Sequence, residues 1–485
     1  PPPTLDETMT STIDSYEHAL AWLAGRTNYE RTPPGRGGAA FKLGRMRQLL
    51  ARLGDPHERL PALHIAGTKG KGSTAAMTAA MLSAAGYRTG LFTSPHVHRF
   101  EERMTVDGLA PTASELTALA RDVSAAARRL DAAGPELAPT YFELATAMAW
   151  LHFERQSCDL AVLEVGLGGR LDATNLCRPA ATAVTNISFD HTDVLGHTLE
   201  AIASEKAGII KPGVSVVSGV EAGPPRDVIV EHCRRQGCRL FELGCDVRYD
   251  VQGCERMGDE TGTGAPDAGA VCGGQRIDLA GLDRHVAGIH LPLAGAHQAA
   301  NAALALGLVD LAGRAGWPVP DAAVRGGLER VAIPVRIEFF PRRPLVVIDA
   351  AHNVASTAAL VATLRAHAPA AVRRVLIFAV SRDKDAGGML RLLQPAFGDE
   401  VLTRYGSNAR GLPVERLREI ADPQAGAQGR SSATGGGGWR VHVAPDPRAA
   451  WALAHSLAGP DDLVCVTGSF YLAAELRSAV LAEQP

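Results

Sequence analysis

Residues 67–74 read Gly-Thr-Lys-Gly-Lys-Gly-Ser-Thr, with glycines at 67, 70 and 72, a lysine at 71 and hydroxyls at 68, 73 and 74. Those residue types in that order suit phosphate chemistry. Gly67, Gly70 and Gly72 let successive backbone N–H groups converge, with Thr68 between them, and a helix N-terminus behind them adds about half a positive charge. Lys71 supplies a mobile cation for the β- and γ-phosphates, and the Ser73 or Thr74 hydroxyl can hold a magnesium ion. The generic phosphate-loop spacing is not met. Ile65 stands where that pattern has its first glycine, and Gly72 separates Lys71 from the hydroxyl. A plain glycine-rich turn would explain the glycines but not the lysine, the hydroxyls and the flanking elements together.

Further along stand other groups able to join such a site. Glu164 ends the apolar run Leu160–Val165, where a carboxylate is costly unless paired or metal-bound, and a glycine loop follows it. Ser94 lies in a Ser-Pro-His turn that reads equally as a simple turn or as a ligand position. His191 follows the expected strand Ala181–Phe189; a lone histidine is more often structural, and magnesium prefers oxygen.

The elements that must position these groups can be read from periodicity and punctuation. Leu63–Ala66 reads as a buried strand, and Ser73 opens a helix that runs to Gly86. Helices are expected over Ile13–Leu23, from Phe41 to near Gly54, and over residues 113–133. Thr140 with Glu143 fits a capping box at the head of another helix. Residues 214–241 read as strand, helix, strand. Residues 244–288 shift to Gly, Asp and Cys and read as a loop or irregular β insertion. Beyond Pro334, strands at Pro344–Asp349, Arg374–Val380 and Asp462–Val466 alternate with helices, and residues 421–438 form a low-complexity insertion. The expected fold is α/β. A P-loop parallel-sheet ATP-binding domain (1–333) precedes a smaller doubly wound, Rossmann-like domain (334–485).

A chain of 485 residues with 46% hydrophobic and 21% charged residues suits two or three globular domains. A net charge of −3 gives no basic surplus to drive nucleic-acid binding. No apolar run is long enough for a membrane span, and residues 1–4 do not resemble a secretory signal, so a cytoplasmic location is expected. Eight cysteines are present, five of them between 233 and 272 with no Cys-x-x-Cys pair, and reduced thiols are expected.

The loop with its extra glycine before the hydroxyl resembles that of the Mur ligase superfamily, in the folylpolyglutamate synthase/dihydrofolate synthase branch. Residues 164–175 (Glu-Val-Gly-Leu-Gly-Gly-Arg-Leu-Asp-Ala-Thr-Asn), Asp190-His-Thr and Ser204-Glu-Lys-Ala-Gly-Ile are similar to that branch too. The resemblance implies metal ligation by Ser73, Ser94, Glu164 and His191, with two magnesium sites. Lys206 stands at the place of the family's carbamylated lysine; its alternative reading is a helix C-terminal dipole partner. Asn301, Arg336 and Asp349 are implied for ATP, and His352, Asn353 and Ser469 for glutamate. Phe41, Leu43, Thr140, Tyr141, Phe142, Glu143, Leu171, Asp172 and Ala173 are implied for the folate. Lys71, Lys206, Arg336 and His352 are the implied catalytic set. The chain departs from the family pattern at Lys42, at Lys69 (usually Asn), at Val335 (usually Gly), and at Ala350 and Val354.

The implied reaction is ATP-dependent addition of L-glutamate to a folate, and also to dihydropteroate, through an acyl phosphate. A monomer that closes near 318–334 is implied. The alternatives are a Mur-type ligase for a UDP-sugar and a non-catalytic nucleotide-binding regulator.

Overall fold

The computed structural model describes residues 12–31, 42–256, 272–368, 373–422 and 439–483. Phe41 lies outside them. Two compact units divide the chain: Pro1–Asp250 with Asp278–Ala287 and Ala300–Val331, and Val251–Ile277 with Gly288–Ala299 and Ala332–Pro485.

The first unit is built on β1 (Ala62–Ala66), β2 (Thr89–Phe92), β3 (Met104–Val106), β4 (Leu160–Glu164), β5 (Pro179–Val184), β6 (Val216–Ser218) and β7 (Leu240–Glu242). They form one sheet in the order β3-β2-β4-β1-β5-β6-β7. All neighbours are parallel except β3, which runs antiparallel at the edge. β1 and β4 are buried at every position, as continuous apolar strands of a sheet covered on both faces must be. One apolar cluster gathers Trp22, Met46, Leu119, Trp150 and Phe153; another gathers Val184, Ile209, Ile229 and Cys233. The chain leaves β4 and crosses β1 to form β5, so the strand order reverses at β1. Ligands of open parallel sheets bind beyond the carboxyl ends of strands at that point.

Several expected elements are found within a few residues. The phosphate-loop helix spans Lys71–Ala84, two residues ahead of the expected Ser73, and the 113–133 helix is Ala113–Asp131. One strand differs: β5 stops at Val184 rather than Phe189. Thr185 and Asn186 turn away to bond the phosphate loop, and Phe189 is exposed. The expected 244–288 insertion and the few residues after it hold three strands, β8 (Arg248–Arg256), β9 (Cys272–Ala280) and β10 (His285–Leu291), in a sheet of their own; residues 257–271 lie outside the described part. Cys254 is disulfide-bonded, against the expectation of reduced thiols, while Cys158, Cys177, Cys233, Cys238, Cys245 and Cys465 are free.

The second unit holds β11 (Glu338–Phe340), β12 (Leu345–Ile348), β13 (Arg374–Phe378), β14 (Asp399–Leu402), β15 (Arg440–Val443) and β16 (Leu463–Thr467), ordered β11-β12-β16-β13-β14-β15. Only β11 is antiparallel. Its core includes Val347, Leu360, Leu376, Phe378 and Met389. Among the described residues, no helix is long and apolar enough to cross a membrane.

Candidate active site

β1, β4 and β5 lie side by side, and their carboxyl ends deliver the phosphate loop, Glu164 and Thr185. Gly67 (φ +151°) and Gly70 (φ +77°) adopt backbone that only glycine visits freely. A Cβ on Gly67 would stand 1.8 Å from Thr185 Oγ1, and one on Gly70 would stand 2.3 Å from Asn301 Oδ1. Both positions therefore need glycine for space as well as for torsion. The loop is pinned to the stretch after β5. Thr68 N–H donates to the Asn186 carbonyl at 2.9 Å, and Lys69 N–H donates to Asn186 Oδ1 at 3.0 Å. Lys71 folds back, its Nζ 3.5 Å from the Thr68 carbonyl.

Glu164 ends β4 and is 6% exposed. Its Oε2 accepts the Ser94 N–H at 3.0 Å and lies 3.2 Å from where a Cβ on Gly72 would stand. Gly72 thus leaves room for the carboxylate against the first turn of the helix, with Ser73 next in sequence. The Thr74 hydroxyl is buried in that turn and has no hydrogen-bond partner among the described residues. The Glu164 carboxylate thus lies against the helix turn that carries Ser73 and beside the backbone of Ser94, and hard oxygens of these residue types are what magnesium takes. Among the described residues no three His, Cys, Asp or Glu side chains cluster as a ready metal site. A magnesium ion that keeps several waters needs only one or two protein carboxylates.

His191 does not end a strand. It sits beyond β5 at φ +49°, at the head of the short helix Thr192–Leu195, with its side chain 41% exposed. Its N–H donates to Asp190 Oδ1 at 3.0 Å, and Asp190 Oδ2 receives Lys69 Nζ at 2.6 Å. Sequence reasoning left Lys69 without a role; in the structure it ties the phosphate loop to the stretch carrying His191. Lys206 comes from the last turn of Leu199–Ala207 and donates from Nζ to the Gly67 carbonyl at 2.8 Å. It is therefore part of the phosphate loop's support and not only a dipole partner. Burial, and then the nearby Lys71 charge, push its pKa down to about 7.

Among the described residues expected at the folate, Tyr141 and Phe142 pack against other rings. Thr140 and Glu143 make the capping box that the sequence predicts, at the head of Tyr141–Arg155. The Glu143 carboxylate also takes Arg45 Nε at 2.7 Å. The Tyr141 ring meets Phe100 edge-on at 5.7 Å and lies 5.3 Å beneath the Arg103 guanidinium. Arg103 is buried, forks onto Glu30 at 2.8 and 2.7 Å, and donates from Nε to His96 Nδ1 at 2.8 Å. Phe142 packs on Phe92 at 5.8 Å and against Gly166, where a Cβ would meet its Cζ at 2.5 Å. Asp172 braces the glycine loop: Oδ2 accepts the N–H groups of Gly166 and Leu167, and Oδ1 accepts that of Thr174. Burial raises its pKa against those bonds. Leu171 is half-buried and Ala173 buried beside it, and Leu43 opens the helix Leu43–Arg52. Arg45 and Glu30 carry no local signal in the sequence, and the Glu102-Arg103 loop, which resembles the family's equivalent, shows no partner for Arg103 until Glu30 and His96 are brought to it.

In the second unit, Arg336 is flanked by Val335 (φ +54°) and Ile337 (φ +50°), left-handed backbone on two β-branched residues. The family's usual glycine at 335 has gone, but the backbone it would favour is kept. Asp349 Oδ2 accepts the Ile337 N–H and Oδ1 the Ala351 N–H, both at 2.9 Å. Burial raises the pKa of Asp349, with Arg336 opposing it. His297 is pushed down to about 4 by burial first and by Arg336 next. The Gly468 N–H donates to the Ala351 carbonyl at 2.9 Å, which joins the turn after β16 to the one after β12. His352 Nδ1 donates to the Ala350 carbonyl at 2.9 Å, so Nδ1 carries the proton. Asn353 caps Val354–His367 through Oδ1, leaving its buried Nδ2 with no hydrogen-bond partner among the described residues; Ser469 caps Phe470–Ala482.

The fold and the loop define an ATP-dependent ligase of the Mur type: residues 65–309 match the Mur ligase middle domain, and residues 335–470 match the Mur ligase glutamate ligase domain. The chain is 32% identical over 465 residues to the dihydrofolate synthase/folylpolyglutamate synthase of Bacillus subtilis, spanning 96% of this chain and 98% of that one. It is similar to the Mycobacterium tuberculosis folylpolyglutamate synthase complexed with ADP (TM-score 0.82, 32% identity, 97% of this chain and 99% of that one). It is also similar to Escherichia coli FolC in complex with DHPP and ADP (TM-score 0.79, 28% identity, 98% and 99%). The chain belongs to the folylpolyglutamate synthase/dihydrofolate synthase family.

Proposed function

We propose that the chain joins L-glutamate to a folate at the expense of ATP. The observation that carries this is the Glu164 carboxylate, held against Gly72 by the Ser94 N–H at the head of the phosphate-loop helix. In the first step a folate carboxylate attacks the γ-phosphorus, the bond to the β,γ-bridging oxygen breaks, and acyl phosphate and ADP form. The glutamate amine then attacks the acyl carbon, phosphate leaves, and the amine loses a proton. Lys71 and Arg336 supply positive charge where the transferred phosphoryl develops negative charge, and the backbone cradle holds the triphosphate in line. Ser73, Ser94, Glu164 and His191 would hold magnesium, and Lys206, once carbamylated, a second ion. The ion would neutralise phosphate oxygens when bound.

Lys206 is the proposed carbamylation site. A neutral amine adds to CO₂ and releases a proton, and a buried lysine with pKa near 7 offers that neutral amine. A one-CO₂ mass gain mapped to Lys206 is expected; unchanged rates in Lys206→Ala under CO₂ depletion would remove the role.

A UDP-sugar ligase is the less supported reading, because the relatives with near-complete overlap are named for folates. Phosphate release with ATP, magnesium and L-glutamate tests the proposal, run once with 7,8-dihydropteroate and once with tetrahydrofolate. Release with dihydropteroate means first-glutamate addition, release with tetrahydrofolate means chain extension, and release with both means both. No release with either substrate, in folded protein, overturns the reading.

A further inference from the structure

We propose that Glu338 and Arg477 are positioning residues for Arg336. The proposal rests on the reading of Arg336 as the arginine that meets the transferred phosphoryl group.

The turn that presents Arg336 is unfavourable by its own chemistry. Val335 and Ile337 both sit in left-handed backbone, where a branched Cβ crowds the carbonyl oxygen. Such a backbone persists only where its surroundings over-determine it. Two carboxylates do so here, one on each side of Arg336. The buried Asp349 takes the Ile337 N–H at 2.9 Å, and Glu338 Oε2 takes the Val335 N–H at 3.0 Å. The Val335 carbonyl is held as well, by the Ala350 N–H at 2.9 Å.

Asp349 is fixed at the end of a central strand, but Glu338 lies on the edge strand β11, where a lone carboxylate would swing free. Arg477 prevents that: Nε donates to Oε2 at 2.8 Å and Nη2 to Oε1 at 2.9 Å, a two-point fork. The same Oε2 thus receives both Val335 and Arg477. Arg477 belongs to Phe470–Ala482, whose first turn is capped by Ser469. One helix therefore carries a candidate glutamate-binding residue at its head and, further along, the brace for the arginine. No local pattern marks either residue, since they are separated by more than a hundred positions.

Steady-state kinetics of Arg477→Met, Arg477→Lys, Glu338→Gln and Arg336→Ala test this, alone and combined, with folded fraction checked by thermal unfolding. A group that acts only through Arg336 lowers kcat and leaves the KM for ATP nearly unchanged. We expect Arg477→Met and Glu338→Gln to lower kcat about tenfold, Arg477→Lys to recover much of it, and Arg477→Met to add no loss in the Arg336→Ala background. Wild-type kcat in folded Arg477→Met and Glu338→Gln, or losses that multiply with that of Arg336→Ala, would overturn the proposal. Wild-type kcat in Arg336→Ala itself would overturn the reading of Arg336 instead, a separate failure read from a separate variant.

Discussion

Asn301 Oδ1 stands 2.3 Å from the place a Cβ on Gly70 would occupy, so the helix residue and the phosphate-loop residue fill one space. Gly70 also sits at φ +77°, where any other L-residue pays about 1–2 kcal/mol. Gly70→Ala is therefore expected to raise the nucleotide Kd by at least about tenfold, equivalent to 1.4 kcal/mol. Adding Asn301→Ala should relieve the clash but not the torsion. Calorimetric titration with ADP reads both; wild-type affinity in Gly70→Ala would contradict the geometry.

Glu164→Gln keeps the shape of the side chain and the bond to the Ser94 N–H but removes the charge. If Glu164 holds magnesium, the magnesium concentration for half-maximal rate should rise about tenfold or more, because a hard cation loses a charged oxygen. Rate against magnesium at saturating ATP is the measurement. An unchanged requirement would return Glu164 to a purely structural place.

Lys69→Asn installs the residue more usual in the family and breaks the 2.6 Å pair with Asp190. The Asp190 side chain is nearly buried and keeps the His191 N–H, so leaving it without the lysine should cost about 1–3 kcal/mol. Turnover is expected to persist, with a weaker salt dependence of ATP KM as one loop charge is lost. Loss of all turnover would mean that Lys69 does more than pin the stretch before His191.

His64 is fully buried on β1, with Nε2 2.9 Å from Thr174 Oγ1, and burial pushes its pKa down to about 3. Its unfolded value is about 6.5. Between those values the unfolded chain binds the proton and the folded chain does not, so stability is complete above about pH 6.5 and falls as pH drops toward 3. Urea midpoints at pH 7 and pH 5 should therefore differ more in the wild type than in His64→Asn. Equal differences would show that other groups set the acid limit.

Whatever is contiguous in the chain was legible without the fold. The spacing of Gly67, Gly70, Lys71, Gly72 and Ser73 named a phosphate cradle, because converging N–H groups, a mobile cation and a hydroxyl are properties of neighbouring residues. Thr140 and Glu143 named their own cap for the same reason. The apolar runs at β1 and β4 announced buried parallel strands, and Glu164 stood out because a charge ending such a run is costly. Tertiary structure alone decided the rest. It set Glu164 against Gly72, Asn301 against Gly70, Lys206 under Gly67, Arg103 onto Glu30, and Arg477 onto Glu338. These partners meet across roughly seventy to more than two hundred residues, and a long-range ion pair leaves no periodicity to read. The end of β5 was misplaced on the same ground. Ser188 and Phe189 look like strand, but after Thr185 the backbone leaves the sheet and bonds the phosphate loop through the Asn186 carbonyl and the Ser188 N–H, and only the assembled loop offers those partners.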